Sequence, residues 1–249
     1  MTPTGIKSIH QEIIKKLDDL SSKGDSKDRA WVQKYLGTNK PTRCIKTGDI
    51  IKVAKNISKE YEFDKNSLVN LLDLTYSKAT TFEEMAIAAS LLGALPKIKP
   101  QIDPESLDNW LSHTVGWAET DVLCQSNFTA DDLLKNWNKW QKFLRYLAKS
   151  GNIHKRRASM VLLCKSLRQS DDSRLMNLAF EQIEKLKHEK EILVTKAVSW
   201  LLRSLVKFHP QELSEYLKNN QATLPKIAYR ETSSKLLTGK KYVNKSKKN

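Results

Sequence analysis

The sequence predicts an all-α protein built as a solenoid of repeating helix pairs. Three observations predict it. Apolar residues recur every three to four positions along nearly the whole chain, the pattern of one buried helix face. The 249 residues include only 8 glycines and 7 prolines, so turns are few and elements long. A small residue (Ala86, Ala118, Ala158, Ala197) returns after 32, 40 and 39 residues, each time at the head of an apolar run.

The elements follow in order. Ile6, Ile9, Ile13, Ile14, Leu17 and Leu20 mark a first helix, and residues 28–36 and 47–61 a second and third. Asp64 is an N-cap for a helix carrying Leu68, Leu71, Leu72 and Tyr76. Thr81 with Glu84 has capping-box spacing for the next, which Pro96 stops. Asp103-Pro104 supplies N-cap and N1 chemistry for a helix through Leu107, Trp110 and Leu111. A helix over WAETDVLC follows. Thr129 with Asp132 opens one through Trp137, Trp140 and Leu144, broken at Gly151-Asn152. Three more lie in HKRRASMVLLCKSLRQ, DSRLMNLAFEQIEKLK and EILVTKAVSWLLRSLVKF, and His209-Pro210 ends the last. Two short helices, at 213–217 and 225–237, complete the chain, and no segment alternates like a strand. The repeat interval is near that of HEAT and armadillo units. Residues 1–238 therefore read as one HEAT-like α–α superhelix with a concave face. The Lys-rich residues 239–249 read as a disordered tail.

Charge narrows the partner. Lys and Arg number 43 against 28 Asp and Glu, a net +15, which favours a polyanion through counterion release. Nucleic acid leads, and an anionic membrane surface is second. The first helix is the weak candidate for membrane contact, although its apolar stripe also suits a solenoid cap. Cys44, Cys124 and Cys164 form neither a disulfide framework nor a CxxC pair. The N-terminus lacks an apolar signal region, and no apolar run is long enough to span a bilayer. A soluble, cytoplasmic monomer is expected. The histidines at 10, 113, 154, 188 and 209 are scattered, and no P-loop, GxGxxG, GxSxG or HExxH occurs. No metal or nucleotide cofactor is therefore expected.

The repeat register aligns Trp117, Arg157 and Lys196 in one row, and Asp121, Val161 and Trp200 in a second row four residues on. Positions i and i+4 share a helix face. The rows thus place two tryptophans, two cations and one carboxylate along a wall predicted to be open to the concave side. Ala118, Ala158, Leu162, Leu163, Leu201 and Leu202 are predicted to point inward. A carboxylate between tryptophans and facing an arginine has two readings: a functional group, or a buried Asp–Arg pair that fixes helix register. Lys155, Arg156 and Arg157 stand in the first turn of a helix, where cations oppose the dipole unless an anion binds. Lys40, Arg43 and Lys46 form another basic loop. Arg203, one turn past Trp200, can reach a phosphate or an acid behind the wall. Trp31 and Tyr35 line either the cleft or the core.

The segments WAETDVLC, KRRASMVLLCKSL, TKAVSWLLRSLVKFHP and LPKIAYRETSSKLL resemble the AlkD-like DNA alkylation repair proteins, glycosylases built from HEAT-like repeats. The resemblance runs from about Trp31 to Leu237. It implies that Trp117 and Asp121, through the family's WxxxD, and Trp200 are catalytic. It implies that Arg157 and Arg203 bind DNA and, on a looser alignment, that Trp31 does so too; Lys155 and Arg156 join them as DNA-binding candidates on their charge beside Arg157. The implied activity is excision of N3- and N7-alkylpurines such as 3-methyladenine and 7-methylguanine from double-stranded DNA. The implied chemistry needs no cofactor and leaves the base stacked. Two other classes stand beside it. One is a non-catalytic HEAT-like module that binds damaged or branched nucleic acid. The other is a protein scaffold, which the basic charge disfavours.

Overall fold

The computed structural model describes residues 2–21 and 29–242. Residue 28, the predicted start of the second helix, and residues 243–249 of the predicted tail lie outside them. Every described regular element is helical, and the chain divides into two compact units, Met1–Asn127 and Phe128–Asn249.

The first unit contains α1 (Pro3–Ser21), α2 (Arg29–Leu36), α3 (Thr47–Glu60), α4 (Lys65–Lys78), α5 (Phe82–Ala94), α6 (Ser106–Ser112) and α7 (Trp117–Asn127), with a short 3-10 turn at Lys99–Gln101. Helices α3, α5 and α7 pack in sequence as one layer; α1, α4 and α6 form the layer behind. Helix α5 is enclosed on several sides, so Met85 to Ala89, Leu91 and Leu92 are all buried. That explains its nearly continuous apolar sequence. The second unit contains α8 (Ala130–Lys135), α9 (Trp137–Ala148), α10 (Ile153–Ser166), α11 (Ser173–Leu186), α12 (Ile192–Leu205), α13 (Pro210–Asn220) and α14 (Lys226–Thr238). Here α10, α12 and α14 form one layer, each packed on its sequence neighbour α9, α11 or α13. This is helical-repeat packing, one pair after another.

The small residues behave as the repeat register predicts. Ala86, Ala118, Ala158 and Ala197 are all buried, and so are Leu162, Leu163, Leu201 and Leu202. Each alanine lets neighbouring helix axes approach closely. A larger side chain there would overpack a filled interface.

Local sequence sets several helix starts. Asp64 caps α4 by accepting from Ser67 N at 2.7 Å, and Ser67 Oγ returns the bond to Asp64 N. Thr129 and Asp132 make the reciprocal box at α8. Asn152 caps α10. Three ends differ from expectation. Thr81 precedes α5 without capping it, because Glu84 instead accepts from Thr80 N and from both threonine hydroxyls. Asp103-Pro104 forms a turn that feeds α6, which begins at Ser106, as Ser106 N bonds Asp103 O. The helix expected from Thr129 through Leu144 is two helices, because Asn136 has φ −120° and ψ 40°.

Candidate nucleic-acid interface and active site

Trp31, Trp117 and Asp121 belong to the first unit; Lys155, Arg156, Arg157, Trp200 and Arg203 belong to the second.

In the first unit, Trp117 opens α7 and Asp121 follows one turn later on the same face. The indole is fixed from two directions. Its Nε1 donates to Tyr35 O at 2.9 Å. Its ring also lies against Gly37, where an added Cβ would stand 2.7 Å from Cδ1. Tyr35 meets Trp117 edge-on, with centroids 5.7 Å apart, and Trp31 stacks on Tyr35 at 5.4 Å. Trp31 and Tyr35 are 60% and 59% exposed. The three rings therefore form an aromatic ladder reaching from solvent to the start of α7. Both residues of α2 are surface groups, not core, since the helix buries none of its side chains.

The buried carboxylate of Glu119 holds this arrangement together. It accepts from Thr38 Oγ1 and Val115 N, both at 2.5 Å, and from Gly116 N at 3.3 Å. These bonds tie the turn after α2 to the turn before α7. The two turns meet backbone to backbone: a Cβ on Gly116 would sit 2.8 Å from Gly37 O. Gly37 also has φ +64°, a left-handed conformation that disfavours any side chain. We expect Gly37→Ala to lose about 1–3 kcal/mol of stability and to displace the indole. Thermal melting and the tryptophan emission maximum check this; an unchanged emission maximum would contradict the second half.

The basic loop of this unit is largely committed to the fold. Arg43 pairs with Glu84 at 2.8 Å and Asp18 at 3.0 Å, and also bonds Thr81. Burial alone would raise the Glu84 carboxyl, yet bonds from Arg43, Thr80 and Thr81 hold it below its ordinary value. Lys40 Nζ donates to Ala79 O at 3.1 Å, while Lys46 is exposed.

In the second unit, Arg157 is only 5% exposed and gives Nη1 to Leu193 O at 2.7 Å, joining α10 to the first turn of α12. Asp121 of the first unit is 9% exposed. Neither is the open wall residue that the register predicted. A guanidinium on a close-packed helix layer turns along the layer to the nearest carbonyl. Lys155 is likewise 9% exposed. Arg156 pairs with Glu189 at 2.7 Å and donates to Ser150 O and Gly151 O. The anion predicted for this helix start is thus supplied, for Arg156, by the protein itself. Burial, with Arg157 one turn on, holds the His154 imidazole below its ordinary pKa. Trp200 is half-buried on α12. Arg203 turns inward, bonding Ser199 O at 3.1 Å and facing Glu231 at 3.6 Å. Of its two predicted partners, the structure gives the acid behind the wall.

Among the described residues, no His, Cys, Asp or Glu group could hold a metal ion, and no helix is long and apolar enough to cross a membrane.

The family model for "DNA alkylation repair enzyme" matches residues 17–236. This chain belongs to that family. As a DNA alkylation repair family member, it takes DNA as its class of substrate. Its fold is similar to that of a solved structure described as a predicted DNA alkylation repair enzyme from Enterococcus faecalis. The TM-score is 0.69 at 19% identity, covering 86% of this chain and 97% of that one. No curated protein sequence matches significantly.

Sequence reasoning missed Glu119, Gly37 and the ladder role of Tyr35 in this family member. Glu119 stands between the two residues of WxxxD, but its partner Thr38 is 81 positions away and no local spacing announces it.

Proposed function

We propose that this DNA alkylation repair family member is a glycosylase that removes cationic N3- and N7-alkylpurines from duplex DNA. The observation that carries this reading is the pair Trp117 and Asp121 on one face of α7, with the indole anchored at both ring and nitrogen. An N3- or N7-alkylated purine already bears positive charge. It leaves with the N9–C1′ electron pair as a neutral base, so no general acid is required. The sugar left behind develops oxocarbenium character. A fixed carboxylate stabilises that charge and orients the water whose oxygen bonds C1′, with the water proton passing to bulk solvent. In this mechanism Asp121 is that carboxylate. In the first unit Trp117 packs on the deoxyribose, where its face favours cationic charge; in the second unit Trp200 and Arg157 contact the sugar–phosphate backbone. A chemistry that acts at C1′ needs no pocket around the base, so the base remains stacked.

A non-catalytic nucleic-acid-binding module is the second reading. The near-burial of Asp121 and the Arg157–Leu193 bond favour it, since both suit helix positioning. One assay separates the two. The protein is incubated with methylated duplex DNA and the freed bases are analysed chromatographically. Release of 7-methylguanine or 3-methyladenine above the protein-free rate supports the glycosylase. Duplex binding without release supports the module.

A further inference from the structure

A second cationic cluster lies around Arg203 in the Phe128–Asn249 unit. Arg168 follows the end of α10, Arg203 stands in the last turn of α12, and Lys235 in the last turn of α14. These three helices are successive members of one layer. Lys207 joins the group, its Nζ donating to Arg168 O at 3.0 Å. A compensating carboxylate is Glu231, one turn before Lys235, and it is 2% exposed. Its oxygens already receive Ser199 Oγ at 2.6 Å and Tyr242 OH at 2.9 Å, with Lys241 at 3.3 Å and Arg203 at 3.6 Å. Glu231 carries one negative charge, so it offsets only one of the two cations, Arg203 and Lys241, that face it. The charges of Arg168 and Lys235 remain, and neither side chain has a hydrogen bond or ion pair among the described residues. Both are half-buried rather than splayed into solvent. Burial, then Arg203, then Arg168 hold the Lys235 ammonium below its ordinary pKa, so the repulsion is not relieved within the protein.

Like charges held together at a partly buried surface stabilise a bound anion and destabilise the unbound protein. The cations come from the ends of three successive helices of that layer, which suits the repeating charge of a sugar–phosphate backbone. Arg203 lies on the same face of α12 as Trp200, one turn on, so a strand packed against that indole continues towards the cluster. We propose that Arg168 and Lys235, with Lys207 at their edge, form a phosphate-binding site for the backbone of duplex DNA. This deepens the DNA-binding part of the proposed function and does not depend on catalysis.

The test is equilibrium binding of the full-length chain to a short unmodified duplex over a series of salt concentrations. Arg168→Ala/Lys235→Ala is expected to weaken binding and to reduce the slope of log affinity against log salt by about 2, near 0.9 per phosphate contact. Arg168→Lys/Lys235→Arg is expected to keep the slope, which separates lost charge from lost folding. An unchanged slope in the alanine variant overturns the site. So does an alanine variant that loses binding to phosphatidylserine vesicles, or protection by inorganic phosphate, while its DNA slope stays intact. Base release by the unsubstituted protein reports separately on the glycosylase reading, which fails if none is seen, even where the slope changes as expected.

Discussion

Asp121→Asn is expected to slow single-turnover release of 7-methylguanine from methylated duplex by about 10²–10³-fold, the range found when one preorganised electrostatic partner is removed from a reacting centre. The exchange is isosteric and keeps an acceptor oxygen, so the packing around a residue that is 9% exposed should survive. What disappears is the negative charge that the proposed mechanism sets against the sugar. Duplex binding, which rests on cations spread through a chain of net charge +15, should hardly change. Rate and affinity therefore separate cleanly in this variant. A wild-type protein that releases base no faster than the asparagine variant would remove Asp121 from the chemistry.

Glu119→Ala carries the largest expected effect on stability. Alanine leaves the buried Thr38 hydroxyl and Gly116 amide, and the part-buried Val115 amide, without their shared acceptor. Orphaned buried donors cost about 1–3 kcal/mol each, so a loss of roughly 3 kcal/mol or more is expected. For a chain of this size that lowers the melting temperature by about 6–12 °C. The damage should not stop at stability. With the two turns untied, Tyr35 O and Gly37 no longer grip the indole, so base release should fall more than binding does. Glu119→Gln keeps one acceptor but turns an amide N–H₂ towards the donors, and should fall between wild type and alanine. A Glu119→Ala protein that melts with the wild type would show that water replaces the carboxylate.

The layer architecture was readable because it rests on local periodicity. Ala86, Ala118, Ala158 and Ala197 are buried because a helix pair packs tightest where its side chain is smallest, and that rule repeats with the repeat. Register also grouped Trp117 with Asp121, since i and i+4 share a face whatever surrounds the helix. Exposure was less legible. Arg157 and Asp121 lie on the two rows that the register opened to solvent, yet helices α10 and α7 are packed by neighbours on more than one side, and little of either side chain remains outside. Trp31 and Tyr35 were ambiguous for the opposite reason. Their spacing matches a core stripe, but among the described residues nothing buries that side of α2. Arg203 depended on Glu231, which lies 28 positions further on and two helices away. Long-range polar pairs of this kind leave no periodic trace.

The anchoring of Trp117 on α2 also sets how often the site is intact. Helix α2 has eight residues and buries no side chain, far short of what holds an isolated helix together in water. Its opening free energy must lie near the floor for this molecule, whereas α10 and α12 sit near the ceiling. Deuterium should accordingly enter the α2 amides well ahead of those of α10. Every such opening lets go of the Tyr35 carbonyl and unlatches the indole. A duplex resting on the exposed rings of Trp31 and Tyr35 would slow that breathing, so the lifetime of the assembled site would be governed by its own ligand.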